Sequence, residues 1–152
     1  MGLIDIASSN SVLKGLDYCK ENKIKNYKRI TDYEYEGIVQ GNNDIDYYVF
    51  MNVKHPRKSK CNCPHANGRR IICKHIVALY FNVFPKEIDI FLEQVEIAYQ
   101  EYEEYENKIY EKTINYIHHM SKSELQEALI DILDVSPDWI YERFVRDRVK
   151  YN

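Results

Sequence analysis

Cys61, Cys63, Cys73 and His75 are the residues that most restrict what this chain can fold into. They lie in the run C-N-C-P-H-A-N-G-R-R-I-I-C-K-H: two cysteines at i, i+2, then a cysteine and a histidine at the same spacing. Cys₃His is a common closed ligand set for structural zinc, and four protein ligands leave no position for a catalytic water. In extended backbone, residues i and i+2 share a face, so Cys61 and Cys63 can present two thiolates to one ion. Pro64 then turns the chain and Asn67-Gly68 marks a tight reversal. In a helix, i and i+2 point to nearly opposite sides. Cys73 and His75 therefore converge only if a helix starts between them, and the N–H groups and dipole of that helix start would also stabilise a thiolate. His55, six residues before Cys61, and His65, two after Cys63, are the alternative imidazoles. The helix-start geometry favours His75.

Other uses of these residues fit less well. Three of the four cysteines fall between residues 61 and 73 beside a histidine, which is not the scatter of ordinary buried thiols. Adjacent Cys-X-Cys pairs poorly with itself as a disulfide, and the start Met-Gly-Leu-Ile-Asp lacks the basic and apolar regions of an export signal, so free thiols in a reducing, intracellular setting are expected (cytoplasm, or nucleus in a eukaryote). Cys19 reads as a small buried apolar residue. Zinc deaminases pair their metal with a glutamate general acid/base, yet no acidic residue lies between residues 47 and 86. No Gly-rich phosphate loop, no H-E-x-x-H and no nucleophile with an evident base is present, so the expectation is a non-catalytic protein with no small-molecule substrate.

The pattern C-x-C-x(n)-C-x-H, followed at once by the apolar run Ile76-Val77-Ala78-Leu79-Tyr80-Phe81, resembles a SWIM-type zinc finger. Cys63-Pro64 and Cys73-Lys74-His75 carry the likeness, which extends upstream over two strands to cover about residues 12–84. The resemblance implies one structural zinc ion, with His75 rather than His65 as the fourth ligand. It also implies association with DNA-remodelling ATPases or transposases, and binding to DNA or to proteins. The C-terminal third lies outside it.

Periodicity places these residues in an α+β chain: a small ββα zinc-binding domain with an N-terminal helix over residues 1–85, then an all-helical segment over 86–152. Val12, Leu13, Leu16 and Cys19 recur at helical spacing over residues 9–23, with Ser9 or Asn10 as cap. Tyr33–Gln40 and Ile45–Val53 alternate as two strands around the turn cluster Gly41-Asn42-Asn43-Asp44. Their tyrosines read as packed sheet residues rather than base-stacking platforms. The helix after His75 is apolar nearly all round, which requires burial, and Pro85 ends it. Residues 86–120 form one long helix whose seam, Ile88, Phe91, Val95, Ala98, Tyr102, Tyr105 and Ile109, steps by three and four. The last two helices are expected to cover it. Ser121-Lys-Ser-Glu124 is a capping box starting a helix over 122–134, and Ser136-Pro137 starts another over 137–149, with Trp139 expected in its core. No apolar stretch is long enough to span a membrane.

A net charge of −3 hides a strong asymmetry. Lys54, Arg57, Lys58, Lys60, Arg69, Arg70, Lys74 and Lys86 are the charged residues of 47–86, whereas 87–112 carries Glu87, Asp89, Glu93, Glu96, Glu101, Glu103, Glu104, Glu106 and Glu111 against two lysines. Clustered cations bind phosphates in a largely sequence-independent way. The expected function is nucleic-acid binding, DNA foremost, through Lys58, Lys60, Arg69, Arg70 and Lys74. The alternative is a protein-interaction adaptor, for example of a DNA-remodelling ATPase or recombination factor, that docks through the acidic C-terminal helices.

Overall fold

The two alternating runs become the centre of a four-stranded antiparallel sheet of order β1-β2-β3-β4 in the computed structural model, which describes residues 2–150. Strand β2 (Glu34–Gln40) turns Tyr35, Gly37 and Val39 inward, and β3 (Asp46–Asn52) turns Val49 and Met51 to the same side. Tyr35 pairs with Met51 and Val39 with Tyr47, so the two apolar rows coincide across the ladder. The intervening turn is a 3₁₀ segment, Asn42–Asp44, with Asn43 and Asp44 in the left-handed region. The Tyr18 hydroxyl fastens it by donating to Asn42 Oδ1 at 2.7 Å.

Two strands extend the expected hairpin. β1 (Ile24–Arg29) pairs with β2, and its only residue that is not exposed is Ile24. A strand so little buried carries no alternation, which is why periodicity does not reveal it in the sequence Ile-Lys-Asn-Tyr-Lys-Arg. β4 (Lys60–Cys61) is just two residues long and exists through pairing with Val49 and Phe50. Helix α1 (Ser9–Lys20) is capped by Ser8, one residue earlier than expected, through the Ser11 N–H. It stops short of residue 23 because Asn22 adopts φ 54° and the Lys23 N–H returns to the Tyr18 carbonyl at 3.0 Å.

Helix α2 (Lys74–Val83) lies between the sheet and α1, which explains its apolar circumference: Ile76, Val77, Ala78, Leu79 and Phe81 are all buried. Its contact with α1 is close enough to need a glycine. A Cβ on Gly15 would lie 2.5 Å from both Cβ and Cγ1 of Val77.

The long helix is observed as α3 (Lys86–His119), 34 residues. By its internal packing the chain divides into two compact units inside it, between Glu96 and Ile97. Ile88 and Phe91, in the first turns of α3, pack on the core, with the Phe91 ring 5.9 Å from that of Phe81. In the second unit, α4 (Lys122–Val135) starts with the expected capping box. α5 (Asp138–Phe144) is capped by Pro137 rather than Ser136 and runs into a π-helical turn, Val145–Val149. Neither α4 nor α5 contains a buried residue, so the last helices do not cover the seam as expected, and Trp139 is 61% exposed instead of forming a core. Among the described residues no helix is long and apolar enough to cross a membrane.

Replacing Gly15 by alanine is expected to force α1 and α2 apart at Val77. Overpacking of this kind costs roughly 1–3 kcal/mol, read as a lower midpoint in denaturant unfolding, and a midpoint at or above the parent's would show that the helices can separate freely.

Candidate metal centre

Cys61 ends β4, Cys63 opens the turn that follows, and Cys73 and His75 belong to the start of α2. The turn after Cys63 is closed by the Ala66 and Asn67 N–H groups, which both donate to the Cys63 carbonyl, at 3.0 and 2.8 Å. Cys61 ends the strand, the Asn62 N–H still reaches the Tyr48 carbonyl at 3.3 Å, and the tight turn begins only at Cys63. At the other end the expected arrangement holds. Cys73 is the N-cap of α2, with extended backbone (φ −87°, ψ 168°), and His75 is in the first turn.

All four side chains are buried, and their ligand atoms lie within 4.8 Å of one another. His75 Nδ1 stands 3.7 Å from Cys61 Sγ and 3.9 Å from Cys73 Sγ. Tetrahedral zinc with bonds of about 2.3 Å to sulfur and about 2.0–2.1 Å to nitrogen sets its ligand atoms about 3.6–3.8 Å apart. The set therefore fits one structural zinc ion, with Nδ1 as the imidazole donor. His75 Nε2 is buried and has no partner among the described residues, and Nδ1 is the nitrogen turned to the sulfurs. The rings of Tyr47 (centroid 4.6 Å away) and Tyr18 (5.5 Å, edge-on) hold the imidazole in place. His65 and His55 are exposed and lie outside the cluster.

The thiols are electrostatically unequal. A hydrogen bond from the Cys61 thiol, reinforced by His75 and the Ile76 N–H, lowers Cys73 to about 4. Cys61 is raised, chiefly by that same bond to Cys73, and Cys63 is raised by burial. Cys19 lies apart, half-buried, with its thiol raised by burial.

Beside the quartet, on the outer face of the sheet, runs a groove of about 930 Å³. It gathers Lys58, Lys60, Arg69 and Arg70 from the expected basic set and adds Arg57. Lys74 is not among its lining: its ammonium sits over the Tyr18 ring, 4.4 Å from the centroid, with Lys23 at 4.3 Å from the same ring. Membership of the C-K-H tripeptide says nothing about direction, because successive residues at a helix start point different ways. The buried Asn52 presents the 3₁₀ turn Pro56–Lys58: its N–H donates to Ser59 Oγ (3.0 Å), its Oδ1 accepts from the His55 N–H (2.6 Å), and its Nδ2 donates to Glu34 (3.0 Å). Tyr48 and Phe50 also line the groove, although the sequence does not mark them as site residues. The available signal is the alternation of β3, which puts 48 and 50 on the face opposite Val49 and Met51. Tyr35 is packed as expected, while Tyr48 is 48% exposed.

Residues 38–84 match the family model of the SWIM zinc finger. No curated protein and no solved structure matches the chain.

Purified protein is expected to contain one equivalent of zinc by elemental analysis, and Cys61→Ser or His75→Ala protein to contain none. Because structural sites of this kind contribute about 10–16 kcal/mol of apparent binding, chelation should abolish the near-ultraviolet dichroism of the first unit. Cys61→Ser protein that keeps a full equivalent of zinc would remove Cys61 from the ligand set.

Proposed function

We propose that this SWIM zinc finger protein is a non-catalytic nucleic-acid-binding protein whose contact face is the groove beside the metal centre. The observation that carries the reading is the convergence of Arg57, Lys58, Lys60, Arg69 and Arg70 on one groove from two stretches of the sequence, 57–60 and 69–70. Five cations along one track match a run of phosphates, and charge of this kind binds with strong salt dependence and little sequence preference. Glu34 is the one carboxylate of the lining, and it is engaged: it accepts from Asn52 Nδ2 and from Thr31 Oγ1 (3.3 Å). A zinc ion held by the quartet would tie β4 to α2 and so fix the loop bearing Arg69 and Arg70 against the sheet. SWIM domains as a family bind nucleic acids or proteins, which agrees with this reading.

A second reading, an adaptor for another protein, is favoured by a different observation. Tyr102, Tyr105 and Ile109 keep the three–four spacing along α3, yet each is exposed, in a stretch rich in glutamate. An acidic helix with an uncovered apolar seam suits a basic amphipathic partner helix.

Fluorescence anisotropy with labelled oligonucleotides at several salt concentrations tests the first reading. Arg69→Ala/Arg70→Ala protein is expected to bind more weakly and to lower the slope of log K against log salt by about 1.4–1.8, at roughly 0.7–0.9 for each phosphate that is no longer neutralised. Equal affinity and equal slope would take the arginine pair out of the interface, and absence of binding at low salt would turn the search to a protein partner.

A further inference from the structure

Resting on the nucleic-acid reading, we infer that the groove takes a single strand, whose unpaired bases stack on Tyr48 and Phe50 while its phosphates run along the surrounding cations. The two rings stand on the same face of β3, two residues apart, which is about 6.6 Å along a strand. They face outward on an inner strand of the sheet, where the core does not need them: the residues that pack the core from β3 are Val49 and Met51 on the other side. Lys60 is directly across the ladder from Phe50, and Arg57, Lys58, Arg69 and Arg70 complete the rim. Aromatic faces bordered by cations are the arrangement by which proteins hold single strands, since every base offers a π-face and every nucleotide a phosphate. A duplex keeps its bases stacked inside and would leave both rings idle.

The neighbouring acids do not oppose this. Glu36, paired across the ladder with Phe50, forms an ion pair with Lys28 at 3.0 Å. The Tyr48 hydroxyl, followed by Lys28, holds the Glu36 carboxyl low, and the same contact raises the phenol. The Tyr48 main-chain N–H donates to Asn62 Oδ1 at 2.8 Å. Gly68, at the turn of the facing loop, adopts φ 71° and has no atom within 4 Å of where a Cβ would be, so the rim is open at that point.

The test compares four labelled probes of one length on the zinc-loaded full chain: oligothymidylate, its ribose counterpart, an abasic strand with the same phosphates, and a duplex. The unmutated protein is expected to bind a base-bearing strand more tightly than the abasic strand or the duplex, and the sugar arms show whether DNA or RNA is preferred. Tyr48→Ala/Phe50→Ala is expected to weaken strand binding by about five-fold or more per ring removed, with abasic binding and zinc content unchanged, and Tyr48→Phe to bind as the parent does. Equal affinity for abasic and base-bearing strands, or preference for the duplex, would overturn the single-strand inference. The nucleic-acid reading would survive that result wherever Arg69→Ala/Arg70→Ala still weakens binding. No binding of any probe at low salt would end both. If the ring variant does not fold, the abasic comparison on unmutated protein decides alone.

Discussion

Closure of the Cys63–Cys73 loop onto Cys61 is the constraint on which the first unit depends. β4 is two residues long and pairs only with Val49 and Phe50, too little to hold a chain end by backbone hydrogen bonds. α2 is held by burial on the sheet and on α1, but its start would be free to fray without a fixed Cys73 and His75. Four ligand atoms within 4.8 Å join these ends at one point. The intervening residues, Pro64 to Ile72, then need no core of their own, and among them only Ala66 and Ile72 are buried. The result is a cluster of buried thiols turned toward one imidazole nitrogen, an arrangement that makes physical sense with a cation at its centre.

The same closure organises the outer surface. The loop carrying Arg69 and Arg70 leaves from one side of the ligand set, and the turn carrying Arg57 and Lys58 enters from the other through Asn52. Asn52 is polar and 1% exposed, but its side-chain amide and its main-chain N–H find partners, which is the condition under which a buried polar residue specifies structure rather than weakening it. Core and groove are thus two sides of one strand: Val49 and Met51 pack inward, Tyr48 and Phe50 face the groove.

Much of this is legible in the amino-acid order. Ligand spacing is chemistry written in the sequence, and strand alternation at Tyr35, Val39, Val49 and Met51 reports burial on one face. What escapes is whatever burial does not mark. β1 exposes five of its six residues, and β4 is defined by its neighbour. Lys74 is close in sequence to cations from which its helix position separates it in space. Trp139 suggests a core because large aromatic residues usually have one, and nothing local in the sequence says that α5 has no surface to pack on.

That lack of packing gives the C-terminal helices a different thermodynamic character. With no buried residue in α4 or α5, their order rests on intrinsic propensity, on the Ser121–Glu124 box, and on surface pairs such as Arg143 with Asp147 at 3.5 Å. Helices of this length held by such terms alone are only marginally stable. Heat absorbed by the zinc-bearing unit would be concentrated in one sharp transition, whereas the helical tail would lose its turns gradually, with no peak of its own. A calorimetric trace would thus record about two thirds of the chain, the share that ends at Glu96, as if the rest were solvent.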